Sequence, residues 1–326
     1  MTVGRAHVGG HITLLFSVED LPSNPLEQGS RGSGLSIAHG VEVIATATAD
    51  GEGKVELAGD APNEILFTTV VEELSELLPE VASTDWIIEH RAELPTSQGF
   101  GLSASAALAT ALAMQRALGE QENEVARAVH CAHLVERRLS GGLGDVAAIH
   151  AGGVELRISA GCPSFDNGLG GPGGVLSWYQ EIPMVVCWRA KSNRHTSGYI
   201  DDDDWKKRIS DSGDLALAPL LAKKWNANCW HELLDASANF AADSGLLNDA
   251  NRDDLLMMVG GAIASCTLAD VGLIVRLCML GESAVIIPSD LAGESPEGWH
   301  MRLVEALEAR GLGALATEVS GDPLNL

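Results

Sequence analysis

Between Leu94 and Leu118 the sequence sets Pro95, Gly99, Gly101, Ser103 and Ser105 directly ahead of Ala106, Ala107, Leu108 and a long alanine-rich run. Glycines let main-chain N–H groups approach a ligand with no Cβ in the way. The first turn of a helix adds unpaired donors and about half a positive charge. The chemistry open to such a stretch is holding an anion, and phosphate is the natural one. A plain structural turn, with Ser103 or Ser105 capping the helix, accounts for the same residues. The repeat Ser103-Ala104-Ser105-Ala106 weighs against it, because a cap needs one hydroxyl while a metal and a phosphate need several close approaches. Only two of the three glycines of the dinucleotide fingerprint are present, and no Walker lysine follows.

Other candidates lie on both sides of this stretch. His11 follows Gly9 and Gly10 at the start of an apolar strand, where a merely hydrogen-bonded histidine fits equally well. Pro22 to Gly34 reads as a loop whose segment Gly29-Ser30-Arg31-Gly32-Ser33-Gly34 offers an arginine fork and hydroxyls to a small carboxylate or phosphate. A helix over Glu120 to Leu139 carries His133 and Glu136 three apart, hence on one face; alone, that is an ordinary surface pair. Then comes a second glycine loop, Ser140 to Asp145, in which Asp145 is either an N-cap or a carboxylate held beside whatever the glycines admit. A phosphate loop, a carboxylate loop and an arginine loop together make a kinase-like set. Phosphoryl transfer needs backbone donors for the phosphates, Mg²⁺ ligands, and a group to orient the accepting hydroxyl.

The elements that must position these residues follow from periodicity and punctuation. Trp86 to Leu94 reads as the strand feeding the glycine turn, and residues 3 to 18 as a turn entering a buried strand. Strands are expected at Leu35 to Ile37, Val41 to Ala49 and Lys54 to Leu57, with Asp50 to Gly53 as a hairpin turn, and a helix over Asn63 to Leu78. Gly152 to Ile158 is a strand bearing Arg157, and Gly161 to Gly174 reads as a mobile edge over the site. From Trp178 the texture changes to a strand through Trp188, a solvated or capping run at Asp201 to Asp204, and helices. Strands around Met279 to Ser283, a helix over Glu297 to Arg310 and a closing strand complete the pattern. The sum is α+β, with a split α/β sandwich at the end.

The 326 residues suffice for two domains, taken as 1–177 and 178–326. No apolar run approaches a membrane span, and Met1 to His7 lacks the apolar core of a signal peptide, so a cytoplasmic protein is expected. Six single cysteines with no Cys-x-x-Cys pair suggest reduced thiols rather than a zinc site. The net charge of -24 argues against nucleic-acid or anionic-membrane partners. It also means that a phosphate site here needs local cations or Mg²⁺.

Pro95-x-x-x-Gly99-x-Gly101-Leu102-Ser103-Ala104-Ser105-Ala106 resembles the second signature of the GHMP kinases. Gly10 to Thr13, Gly29 to Gly34, Gly142 to Val146 and Met279 to Gly281 resemble that superfamily's archaeal pantoate kinase branch. The resemblance implies a ribosomal-protein-domain-2-like first domain, a ferredoxin-like second one, and transfer of phosphate from ATP to pantoate on the route to coenzyme A. It implies that Pro95, Gly99, Gly101, Leu102, Ser103, Ala104 and Ser105 hold ATP, and that Ser105 and Glu136 hold Mg²⁺. Asp145 becomes the catalytic residue, and His11, Ser30, Arg31, His133 and Arg157 the pantoate contacts; Arg157 owes its role to the resemblance alone. A homodimer is common in the family. Homoserine or mevalonate kinases, or a non-catalytic binding protein of the same fold, are the alternatives. Two departures stand out: Gly9 replaces the family's proline, and the third glycine-rich signature shrinks to the surroundings of Gly281.

Overall fold

Two antiparallel hairpin strands of unusual length open the chain. In the computed structural model, which describes residues 1–48, 51–58, 64–189, 203–293 and 296–325, β1 (Thr2–Glu19) pairs with β2 (Gly29–Thr48) almost end to end, with register shifts at Gly9/Gly10 and Thr13/Leu15. The segment Gly29 to Gly34, expected as loop, is therefore strand. Its glycines serve side chains of neighbouring strands rather than flexibility: a Cβ at Gly32 would overlap the Arg157 guanidinium, and one at Gly34 the His11 ring.

β3 (Val55–Ala58), β4 (Asp85–Ala92), β5 (Val154–Ser159) and β6 (Gly174–Trp178) complete the first sheet in the order β3-β4-β2-β5-β6, with β1 on β2. β3 runs parallel to β4, Val55 opposite Trp86, so the expected hairpin between β2 and β3 is not formed; β4 lies between them. Ala49, Asp50 and Asn63, on which parts of those expectations fell, lie outside the described residues.

Helices α1 (Glu64–Ser75), α2 (Leu102–Leu118), α3 (Glu124–Arg138) and α4 (Asp145–Ala151) cover this sheet. α2 is buried almost all round, which explains its composition: alanine lets helix and sheet approach closely, and Gly4 of β1 lies so near that a Cβ there would overlap the Ala113 carbonyl oxygen.

The second sheet is antiparallel throughout, in the order β10-β7-β9-β8, from β7 (Pro183–Arg189), β8 (Leu273–Leu277), β9 (Ser283–Pro288) and β10 (Leu312–Glu318). Its helices are α5 (Asp203–Leu221), α6 (Trp230–Asp243), α7 (Ala250–Ser265) and α8 (Trp299–Glu308). Of the acidic run, Asp201 and Asp202 lie outside the described residues, and α5 starts at Asp203. α5 and α6 also pack on β1: Ser210 Oγ accepts from the Val18 amide at 3.2 Å, and Ser237 Oγ donates to the Leu14 carbonyl at 3.1 Å. One hydrophobic cluster consequently runs from Val8, Leu14 and Phe16 to Leu217, Trp230 and Phe240.

After β10 the chain returns to the first sheet. The Gly9 amide donates to the Pro323 carbonyl at 2.7 Å, and Gly153 to Ser320 at 2.7 Å. A proline at position 9 could make no such bond, and a Cβ there would overlap the Ile37 carbonyl oxygen. The six cysteines are free thiols. Gly161 to Gly174 is pinned by bonds such as Cys162 N–H to the Leu26 carbonyl, 2.9 Å, and lines no part of the cavity below, so it is not an edge over the site.

Candidate active site

A cavity of about 420 Å³ opens where the amino end of α2 meets α3, the start of α4 and the turn between β8 and β9. Pro95, Gly99, Gly101, Leu102 and Ser103 line it, as do Ser30, Glu136, Asp145, Met279 and Leu280. Gly99 and Gly101 take φ of 77° and 65°, left-handed values open to glycine at little cost, and Gly101 is the residue from which the first amides of α2 follow. Those amides have no intrahelical acceptor. The reduced third signature contributes here after all. Gly99 fits so closely against the turn that a Cβ would lie 3.0 Å from the Met279 carbonyl oxygen, while the Met279 amide donates to Thr13 O at 3.1 Å.

The two serines of α2 exchange their expected roles. Ser105 is fully buried, and its hydroxyl donates to the carbonyls of Gly9, 2.8 Å, and Gly101, 3.2 Å; it does not line the cavity, nor does Ala104. Ser103 faces the cavity, and its hydroxyl donates to Glu136 Oε1 at 2.5 Å. The helix dictates this. Two residues turn a helix by about 200°, so positions 103 and 105 point to nearly opposite sides.

Glu136 comes from α3, and its Oε2 also accepts from the Gly142 amide at 2.5 Å. Burial raises its carboxyl to about 7, opposed by the Ser103 hydrogen bond and reinforced by the Asp145 charge. Asp145 is the first residue of α4, its side chain 20% exposed to the cavity. Burial alone would raise its pKa; the hydrogen bond and charge of His11 overcome that and hold it below the ordinary carboxylate range.

His11 does not reach the cavity. Its ring is fully buried, with Nδ1 2.7 Å from Asp145 Oδ1 and Nε2 3.2 Å from Glu155 Oε1. With a carboxylate at each ring nitrogen, the surroundings favour the protonated ring, in which both nitrogens donate. The pKa direction agrees: burial would lower it, and the two carboxylates raise it overall. As a direct substrate contact His11 is therefore corrected.

Arg31 is corrected too. Neighbouring strand residues point to opposite faces, so with Ser30 turned to the cavity Arg31 turns away, pairing with Glu19 and, at 2.7 Å, with Asp214 of α5. His133 lies outside the cavity lining, its Nε2 donating to the Pro25 carbonyl at 3.0 Å. Burial first, then the Arg137 and His130 charges, press its pKa down to about 4, so it is neutral.

Arg157 stands just behind the lining. It is 1% exposed, and its guanidinium nitrogens have no hydrogen-bond partner among the described residues; Glu155 is 3.7 Å away. It packs against Gly144, which lines the cavity, so closely that a Cβ there would crowd Arg157 Nη1 at 2.6 Å and overlap Ser30 Oγ.

Glu155 is the residue that reading the sequence missed. The available signal was the spacing Glu155-x-Arg157, two charges on one strand face, matched in register by Gly34 and Gly32 of β2. Phe67 and His90, ring centroids 5.5 Å apart, and Leu66 line the far end and were also missed; they come from α1 and β4 with no motif to mark them.

Among the described residues no group of three or more histidine, cysteine or acidic side chains is arranged to hold a metal by itself. Ser103 and Glu136 nevertheless make an all-oxygen pair at the amino end of α2. That suits Mg²⁺, which takes one or two protein oxygens and completes its shell from substrate phosphates and water. Among the described residues no helix is long and apolar enough to cross a membrane.

The family described as GHMP kinases N terminal domain matches residues 66–153. The chain is 32% identical over 248 residues to the pantoate kinase of Thermococcus kodakarensis, spanning 74% of this chain and 76% of that one. It is 33% identical over 254 residues to the pantoate kinase of Methanospirillum hungatei, spanning 77% and 79%. Among solved structures, a phosphotransferase related to the CoA biosynthesis pathway superposes with a TM-score of 0.74 at 24% identity, covering 98% of this chain and 97% of that one. Homoserine kinase from Cytophaga hutchinsonii gives 0.61 at 12% identity, covering 99% and 96%. These two share the fold.

Proposed function

This chain belongs to the GHMP kinase family, and on that footing we propose that it transfers the terminal phosphoryl group of ATP to the primary hydroxyl of (R)-pantoate, giving 4-phosphopantoate on the route to coenzyme A. The observation that carries the choice of substrate is the likeness to two pantoate kinases, and it is supported by the Arg157 guanidinium, which has no hydrogen-bond partner among the described residues and lies with Ser30 beside Gly144, the neighbour of Asp145. A substrate bearing a carboxylate near its hydroxyl meets that charge; mevalonate and homoserine carry acids as well, so the pantoate relatives decide among them.

In this reading the amides at the start of α2 receive the phosphates, and Ser103 and Glu136 hold Mg²⁺. Bound there, Mg²⁺ supplies charge neutralisation on the phosphate oxygens. Ser30 and Arg157 fix the acid end of pantoate. Asp145 orients the hydroxyl and takes its proton as the new O–P bond forms. A carboxylate of low proton affinity is adequate when that transfer is late, as in a loose transition state, and its contribution is on the order of 10²- to 10⁴-fold. Residues 1–177 act as the ATP-binding and catalytic unit and 178–326 as the second unit, which brings Met279 and Leu280 to the cavity. The same reading has the protein working in the cytoplasm and pairing with a second copy, which sedimentation would test.

ADP release from purified protein with ATP and Mg²⁺, compared across pantoate, homoserine and mevalonate, is the test. Turnover with pantoate is expected; brisk turnover with either other substrate and none with pantoate would overturn the assignment.

A further inference from the structure

The hydrogen bonds around His11 do more than fill the core. Its Nδ1 takes one oxygen of Asp145, leaving Oδ2 on the side of Gly142 and Glu136, toward the cavity. Its Nε2 takes Glu155, which comes from a different strand, is wholly buried, and has no hydrogen-bond partner for Oε2 among the described residues. The main chain of His11 is tied as well, its amide donating to the Phe100 carbonyl at 2.9 Å in the loop that leads into α2. A Cβ at Gly34 would overlap the His11 ring, and one at Gly101 would lie 3.1 Å from the His11 Cβ. The ring nitrogens thus stay with the two carboxylates and, at 3.4 Å from Nδ1, the Thr13 hydroxyl.

We propose that His11 is the positioning residue of the phosphoryl transfer, setting the Asp145 carboxylate in place for the substrate hydroxyl, and that Glu155 acts on Asp145 through the His11 ring. This rests on Asp145 as the group that takes the proton. Burying two carboxylates around one imidazolium is costly, and an apolar trio would hold β1, β5 and α4 together at less expense in desolvation. The one end of the row that meets the cavity is Asp145. Through the same residue the phosphate loop and the catalytic carboxylate share a rigid reference, so that phosphates and hydroxyl stay in register.

His11→Gln, Glu155→Gln, their double variant and Asp145→Asn are compared with the unaltered protein in the coupled ADP-release assay with ATP, Mg²⁺ and pantoate, beside thermal melts with and without ATP. Both single variants should lose about 10- to 100-fold in kcat, the range expected when a reacting group is slightly misplaced, with KM for ATP and pantoate nearly unchanged. The double variant should be no slower than His11→Gln, because the hydrogen-bonded route from Glu155 to Asp145 runs through the His11 ring; independent structural effects would multiply instead. Glu155→Gln keeps the shape of the row and gives a reading if His11→Gln fails to fold. A kcat of His11→Gln equal to the unaltered protein beside an inactive Asp145→Asn overturns this inference alone. A fully active Asp145→Asn overturns the role of Asp145, and the inference with it. Losses that multiply in the double variant show two structural effects and overturn the relay.

Discussion

Replacing Ser103 and Ser105 by alanine, one at a time, separates the site from its scaffold. Ser105 donates its hydroxyl to Gly9 and Gly101 in a fully buried setting. Removing it leaves carbonyls short of a donor, at a cost of about 1–3 kcal/mol, offset by up to about 0.5 kcal/mol from alanine's better helix propensity. The net loss of about 0.5–3 kcal/mol lowers Tm by roughly 1–4 °C for a chain of this size, with kcat unchanged well below the transition. Ser103 faces the cavity, so its loss should move stability by no more than about 0.5 kcal/mol. Its hydroxyl, however, lies 2.5 Å from Glu136 Oε1, and deleting such a partner of a metal-binding carboxylate typically costs about 10- to 100-fold in metal affinity or activity. Thermal melts and ADP release over a Mg²⁺ titration read both quantities on the same samples. If Ser105→Ala lost turnover while Ser103→Ala kept it, the placement of the two hydroxyls and the reasoning built on it would be refuted.

Arg157→Met should raise KM for pantoate about 100-fold, the worth of a charge-assisted pair of about 3 kcal/mol, and should also lower Tm, because the buried Glu155 carboxylate 3.7 Å away loses its cation; a lower Tm with unchanged KM would make Arg157 structural. His133 has an ordinary pKa of 6.5 when unfolded and about 4 when folded. Between those values the unfolded chain takes a proton that the folded one refuses, so stability falls as pH drops through that window and levels off below it, by at most about 3 kcal/mol. Urea midpoints of His133→Gln from pH 7.5 to 4 should lack that slope; an identical slope would clear His133 of it. Gly9→Pro should cost more than the about 1–3 kcal/mol of the lost donor to the Pro323 carbonyl, because its Cβ would also overlap the Ile37 carbonyl oxygen, and a denaturant midpoint equal to the unaltered protein would refute both.

Legibility in the sequence depended on how local the cause was. The turn at Gly99 and Gly101 and the alanines of α2 announce themselves because left-handed backbone and close helix packing leave marks within a few residues. Asp145 and Glu136 were found because each sits beside its own loop or helix signal. Gly29 to Gly34 was read as loop because glycine normally means turn, whereas here Gly32 and Gly34 make room for Arg157 and His11 from other strands. The choice between Ser103 and Ser105 depends on the rotation of α2 against β1, which the Gly9 carbonyl fixes. His11 could not be assigned from neighbours at all, since its partners lie 134 and 144 positions away. β3 was misplaced for the same kind of reason: its pairing with β4 is set by α1 crossing between them, not by the six residues that link it to β2.

The clasp of residues 320–325 over β1 also sets a timetable. Gly9 gives its amide to Pro323 and its carbonyl to Ser105, and His7 meets Asn325 318 positions away. Contacts at such separation close slowly, because chain entropy is lost before the contact compensates it. During synthesis the first sheet leaves the ribosome with β1 unclasped, and the strand segment around Gly9, whose carbonyl holds Ser105 of α2, acquires its last fixed neighbour only when residues 320–325 have emerged. Catalytic competence should therefore lag behind helix content in a refolding time course, making turnover a clock for the final docking step.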